Sequence, residues 1–166
     1  AIQWLRDGLG FFKDSAETED MAKLSSADSK VMVIPALTGL GAPYWDPDAR
    51  GAIFGLTRDT GKEDITRATL EAIAYQSRDL LEAMNKDNAT FQKLMIDGGM
   101  VVNDWFSQKL SNTLGIEVIR PKIIETTSLG AAFLAGLQAG IFEDFKSLED
   151  SKKIDRTFTP LEEESR

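Results

Sequence analysis

Cysteine and histidine are both absent from the chain. Without cysteine there is no disulfide framework and no thiolate metal site, which is compatible with a reducing, cytoplasmic setting. Without histidine there is no Ser-His-Asp triad, no imidazole zinc site and no histidine general base, so any acid–base chemistry falls to carboxylates, lysine or tyrosine. No apolar run approaches the roughly 20 residues of a membrane span, and nothing at the start resembles a signal peptide. Positive charge is scarce as well. With 27 acidic against 19 basic side chains the net charge is −8, which opposes nonspecific binding to nucleic acid or an acidic membrane.

What is present is an ordinary globular composition, 42% hydrophobic and 28% charged over 166 residues, enough for one domain with a real core. The first residues, Ala1 to Arg6, already follow a helical pattern without an initiator methionine, so a preceding segment is expected. Ser15 is placed to cap a short helix over 16–25. The apolar run Val31 to Leu37 reads as a buried strand ending near Pro35. A loop dense in glycine and proline follows from Thr38 to Gly51, with Tyr44 and Trp45 expected to pin it to the core. Ala52 to Leu56 is a second strand. Thr60 and Glu63 have capping-box spacing ahead of a helix running to about Met84, with Leu70, Ile73, Ser77, Leu80 and Met84 on its core face.

The chain is organised around Leu94-Met95-Ile96-Asp97-Gly98-Gly99-Met100-Val101-Val102-Asn103-Asp104-Trp105-Phe106. A short buried strand passes through two glycines into a helix, placing backbone N–H groups and a positive helix end where a nucleotide phosphate would fit. Gly115 suits a left-handed helix end, and Ile116 to Arg120 is a strand stopped by Pro121. Thr126 to Ser128 offer caps for a helix over 129–139, whose small residues Gly130, Ala131, Ala132, Ala135 and Gly136 would press against a neighbour. Beyond Phe145 the chain is charged and poorly periodic. Alternating strand and helix from 91 to 139 implies a βαβ unit, with ligands beyond the C-terminal strand ends where Asp97-Gly98-Gly99 would lie.

The run from Pro35 to Pro47, Pro-Ala-Leu-Thr-Gly-Leu-Gly-Ala-Pro-Tyr-Trp-Asp-Pro, closely resembles the glycerol kinases of the FGGY carbohydrate kinase family. Gly51-x-Ile53-x-Gly55-Leu56, seven residues, then Asp64-Ile65-x-x-Ala68-Thr69-Leu70-Glu71 fits that family's second signature. Ala72 to Gln76 and Ser128 to Ala132 extend the likeness, which runs from Ile2 to about Phe142. Related pentulose kinases usually carry a Gly-Glu-Arg-Thr-Pro type sequence where this chain has Gly41 to Trp45, a difference that favours glycerol over a sugar.

The resemblance implies an α/β fold of the actin-like ATPase, ribonuclease-H-like type. Residues 1–166 would form most of the second, C-terminal domain, incomplete at both ends and without the N-terminal domain. It implies nucleotide contacts at Gln3, Gly99 and Asn103, with Gly98 beside them. The parent protein would be a cytoplasmic homo-oligomer with ATP/ADP and Mg²⁺ as cofactors, transferring the ATP γ-phosphate to glycerol. The N-terminal phosphate loop, the glycerol-holding residues, the general-base aspartate and most metal ligands would lie outside this chain, leaving it inactive alone. A kinase for another polyol or sugar, and a noncatalytic nucleotide-binding module, are the alternatives. No catalytic or metal role falls to Asp46, Asp48 or Asp97, whose neighbours favour local turn bonding.

Overall fold

The computed structural model describes residues 1–87, 89–144 and 153–161. The chain runs through α1 (Ile2–Asp7), α2 (Glu17–Leu24), β1 (Met32–Ile34), β2 (Ala52–Phe54), α3 (Lys62–Lys86) and β3 (Lys93–Met95). A 3₁₀ turn over Gly99–Val102 follows, then α4 (Asp104–Leu114), β4 (Glu117–Pro121), α5 (Thr126–Gln138) and β5 (Ile154–Phe158). Among the described residues no helix is long and apolar enough to cross a membrane.

The expected βαβ unit is present: β3 pairs parallel to β4, with α4 connecting them. β5 then adds antiparallel to β4, giving the order β3-β4-β5. This third strand was not legible in the charged tail, because apolar residues occupy only its two ends. The register shifts between Arg120 and Pro121, where proline has no N–H to give the ladder. The main core gathers Leu70 and Ala74 of α3, Phe106 and Leu110 of α4, Val118 of β4 and Phe158 of β5. A second cluster, Leu5, Phe12 and Met21, seats α1 and α2. Fully burying a Leu or Phe of this kind stabilises by about 1.5–3 kcal/mol.

Several local expectations shift once tertiary contacts are in place. The Val31–Leu37 run makes only the three-residue β1, paired antiparallel with β2. Met32 and Phe54, opposite one another, remain 63% and 55% exposed, so this strand is covered on one side and not buried throughout. On α3 the expected stripe is buried at Leu70 and half-buried at Ile73 and Ser77, whereas Leu80 and Met84 stay exposed. The α3 cap lies one residue later than the Thr60/Glu63 pattern. Gly61 is the N-cap, and Asp64 Oδ2 accepts its N–H at 2.9 Å, while the Thr60 hydroxyl accepts from the Thr57 N–H. Asp64 Oδ1 also accepts from the Ser25 hydroxyl (2.8 Å) and the Ser26 N–H (3.0 Å), locking the end of α2 to the start of α3. The Gly61 N–H foremost, and the serine donors after it, hold this carboxyl below the usual carboxylate range despite burial.

Ser15 does not cap α2 with its side chain. Glu17 Oε1 accepts the Lys13 and Asp14 N–H groups instead, and Asp14 Oδ1 accepts that of Ala16. α5 begins at Thr126, whose hydroxyl bonds Asp97. Its small-residue stripe has no close neighbour among the described residues along most of its length: Ala131, Ala132 and Ala135 are exposed. Only Gly136 is buried, where a Cβ would come within 2.5 Å of the Phe142 ring. Tyr44 and Trp45 are exposed and not pinned to the core, with the Tyr44 hydroxyl donating to Asp79 at 2.9 Å. Asp46 does bond its own loop, accepting the Asp48 and Ala49 N–H groups.

Candidate functional site

The diglycine segment departs from the sequence expectation in one respect that changes the chemistry. After β3, Gly98 adopts φ +84° and ψ 173° and donates its N–H to the Ile124 carbonyl at 2.9 Å. That conformation is open to glycine and strained for other residues. Gly99 then opens the 3₁₀ turn and not the α-helix, which begins only at Asp104. Two of the first amides of α4 are already occupied. Asn103 Oδ1 accepts the Phe106 N–H at 2.8 Å, and Glu19 Oε2 accepts that of Asp104 at 2.9 Å. The positive end of α4 is therefore partly capped by the protein itself, which weakens the helix-terminus argument for phosphate here. What the diglycine offers is open backbone: a Cβ built on Gly99 meets nothing within 4 Å.

That open backbone faces a cleft of about 420 Å³. α1 contributes Ile2, Gln3 and Arg6, the entry to α2 contributes Ser15 and Thr18, and the turn contributes Gly99, Met100, Val102 and Asn103. Gln3, Gly99 and Asn103, picked out from three separate positions in the chain, thus line the same hollow. Gly98 does not line it and lies behind, turned toward Ile124. Gln3 and Arg6 share a helical face because they are three residues apart, and Arg6 is the one charged side chain among the lining residues. Its guanidinium is held by the adjacent Asp7, Nε to Oδ1 at 2.6 Å.

Asn103 is 5% exposed and half committed to the fold. Besides capping α4, its Nδ2 donates to Thr18 Oγ1 at 3.1 Å. Thr18 itself donates to the Ser15 carbonyl at 2.6 Å. An asparagine amide has two N–H donors and two acceptor lone pairs, so one of each remains for another partner. Below the turn stands Arg120 on β4, a residue the sequence reading passed over. Burial draws its guanidinium down, but bonds to Asp155 and Asp104 more than compensate and keep it charged. Asp104 is also bonded by Arg156. Thr18, Glu19, Arg6 and Arg120 were all unremarked at the sequence level. Only Arg6 carried a usable signal, its helical spacing from Gln3.

The cleft combines apolar walls with polar side chains. Its volume falls in the roughly 300–1,000 Å³ range of small-molecule sites. Apolar Ile2, Met100 and Val102 offer walls for a flat ring, amides offer directional bonds, and a bare glycine backbone permits close approach. Among the described residues no group of three or more acidic side chains is placed to hold a cation.

Comparison with known proteins bears on the family of the chain. Residues 1–139 match the C-terminal domain of the FGGY family of carbohydrate kinases. A glycerol kinase of Marinomonas sp. is 55% identical over 163 residues, covering 98% of this chain and 33% of that protein. A glycerol kinase of Rhizobium rhizogenes is 52% identical over 168 residues, covering 99% and 34%. The chain therefore spans about a third of the length of these curated relatives. The crystal structure of Plasmodium falciparum glycerol kinase with ADP superimposes with a TM-score of 0.81 at 33% identity, covering 96% of this chain and 32% of that one. A ligand-bound xylulose kinase from Lactobacillus acidophilus gives 0.78 at 26% identity, covering 96% and 33%. The match over most of the sequence and the shared actin-like architecture lead to one conclusion: the chain belongs to the FGGY family of carbohydrate kinases.

Proposed function

We propose that residues 1–166 form most of the C-terminal domain of a glycerol kinase and supply the adenine-nucleotide side of its cleft. The observation that carries this reading is the convergence of Gln3, Gly99 and Asn103 on one hollow of nucleoside size. The identity to proteins named glycerol kinase, and the ADP in a glycerol kinase of the same fold, support nucleotide and substrate class. In this reading ATP donates its γ-phosphate to a glycerol hydroxyl. Gly99 lets the nucleotide approach the backbone, Gln3 approaches the base from α1, and the uncommitted N–H and lone pair of Asn103 meet the nucleoside. Bound Mg²⁺ would neutralise phosphate charge, held by groups beyond this chain. Catalysis of phosphoryl transfer rests on positioning and electrostatic stabilisation around the phosphates. Most of those groups also lie elsewhere, so the chain alone binds nucleotide without turning over glycerol.

Calorimetric titration of Mg-ADP into the chain tests this reading, with circular dichroism to confirm folding. Gly99→Val is the informative variant, because the site has room for a side chain and the backbone there is not left-handed. Saturable binding to the parent chain that Gly99→Val loses is expected. Equal binding by a folded Gly99→Val chain would move the nucleotide away from the turn.

A further inference from the structure

Arg120 does not itself line the cleft, yet it holds the piece of backbone from which the cleft is made. Its side chain is 12% exposed. Nη1 donates to the Val101 carbonyl at 2.8 Å, to the Val102 carbonyl at 3.3 Å and to Asp104 Oδ1 at 2.8 Å. Nε donates to Asp155 Oδ2 at 2.8 Å, and the guanidinium lies 5.5 Å from the centre of the Phe158 ring. One planar cation on the central strand therefore fixes the last two carbonyls of the 3₁₀ turn and the first residue of α4. Asn103 sits between those anchored residues. Gly99 stands at the other end of the same four-residue turn, which is closed by Val101 N–H to Gly98 O and Asn103 N–H to Met100 O.

We infer that Arg120 is a positioning residue for nucleotide binding: it sets the Gly99 backbone and the Asn103 amide at the spacing from which both can meet one nucleotide. This role rests on the nucleotide reading above. Arginine is needed because the work is directional. A guanidinium presents donors along fixed, divergent directions in one plane, and its charge also lies within cation–π reach of Phe158. A lysine ammonium in the same place keeps the charge but cannot reproduce the fork.

Three variants of the 166-residue chain separate positioning from plain stability: Arg120→Met, Arg120→Lys and Leu70→Ala. Leu70 is fully buried in the core and does not line the cleft. Mg-ADP affinity is measured by calorimetry at a temperature where each variant is folded, and amide hydrogen exchange is followed without nucleotide. Arg120→Met is expected to bind about tenfold more weakly, with faster exchange at the Val101 and Asn103 amides, and Arg120→Lys to fall between. Leu70→Ala is expected to melt earlier with unchanged affinity. Should Arg120→Met fail to fold, Arg120→Lys carries the comparison. Parental affinity in Arg120→Lys and Arg120→Met, or a loss in Leu70→Ala matching theirs, overturns the positioning role while leaving the nucleotide site standing. No Mg-ADP binding by the parent chain overturns both, and unchanged exchange in Arg120→Met refutes the anchoring of the turn independently of any ligand.

Discussion

Asn103 is the residue at which fold and proposed function compete, and Asn103→Ala measures how much of it belongs to the fold. The substitution removes the acceptor for the Phe106 N–H, a buried N-cap bond of 2.8 Å. Loss of such a cap costs about 1 kcal/mol, within a range of about 0.5–2. It also takes away the donor that faces Thr18 Oγ1 at 3.1 Å. Thr18 is 3% exposed and keeps its own bond to the Ser15 carbonyl. The second loss is thus an ordinary hydrogen bond worth about 1 kcal/mol, and not a stranded donor. Together the expected destabilisation is about 2 kcal/mol, or roughly 4–8 °C in Tm for a chain of this size.

Urea denaturation reads this as a lower midpoint at unchanged slope. Thr18→Val and the double variant complete a cycle, with an expected coupling of about 1 kcal/mol because the two side chains bond one another. A loss below about 0.5 kcal/mol in Asn103→Ala, or strict additivity in the cycle, refutes the claim that this amide is structurally committed. It would also return the whole side chain to the ligand.

Two further predictions concern the turn and the α2–α3 junction. Gly98→Ala forces a side chain into φ +84° and is expected to destabilise by about 1–3 kcal/mol, whereas Gly99→Ala, in open space and outside the left-handed region, stays within about 0.5 kcal/mol by the same denaturation assay. Asp64 has its folded pKa lowered by the Gly61, Ser25 and Ser26 donors. Its contribution is therefore present above the ordinary carboxylate pKa near 4 and is lost as pH falls through the lower folded value. Stability profiles from pH 7 to pH 2 should show a steeper acid loss in the parent than in Asp64→Asn, and parallel profiles would refute it.

What was legible in the sequence was whatever a local pattern encodes. The long helix after the second strand, the left-handed Gly115 and the strand–glycine–glycine connection all follow from periodicity or backbone permissiveness, and all stand in the structure. The misreadings share a different cause. The Thr60/Glu63 box lost to Asp64 because Ser25 and Ser26, 39 and 38 residues away, reward the carboxylate that faces them. β5 was invisible because its stability comes from pairing to β4 and from one buried residue, Phe158, and not from alternation along its own length. The cleft was half legible: a bare glycine can be spotted in a sequence, but the partners Thr18 and Arg6 reach it only through the packing of α1 and α2.

The same separation changes what supports the diglycine as a proposed contact. The initial argument gave the anion-attracting role to a helix terminus, and in the fold two of that terminus's amides are taken by Asn103 and Glu19. Capping by the protein's own side chains fixes where α4 starts, and hence where the turn before it must lie. Arg120 then pins the far end of that turn, and the Ile96 N–H, donating to the Ile119 carbonyl at the end of the β3–β4 pairing, pins the approach to its near end. The glycine backbone is left as the open stretch of an otherwise tethered segment. A binding surface built this way owes its geometry to bonds made beneath it, so its affinity should respond to residues that never meet the ligand.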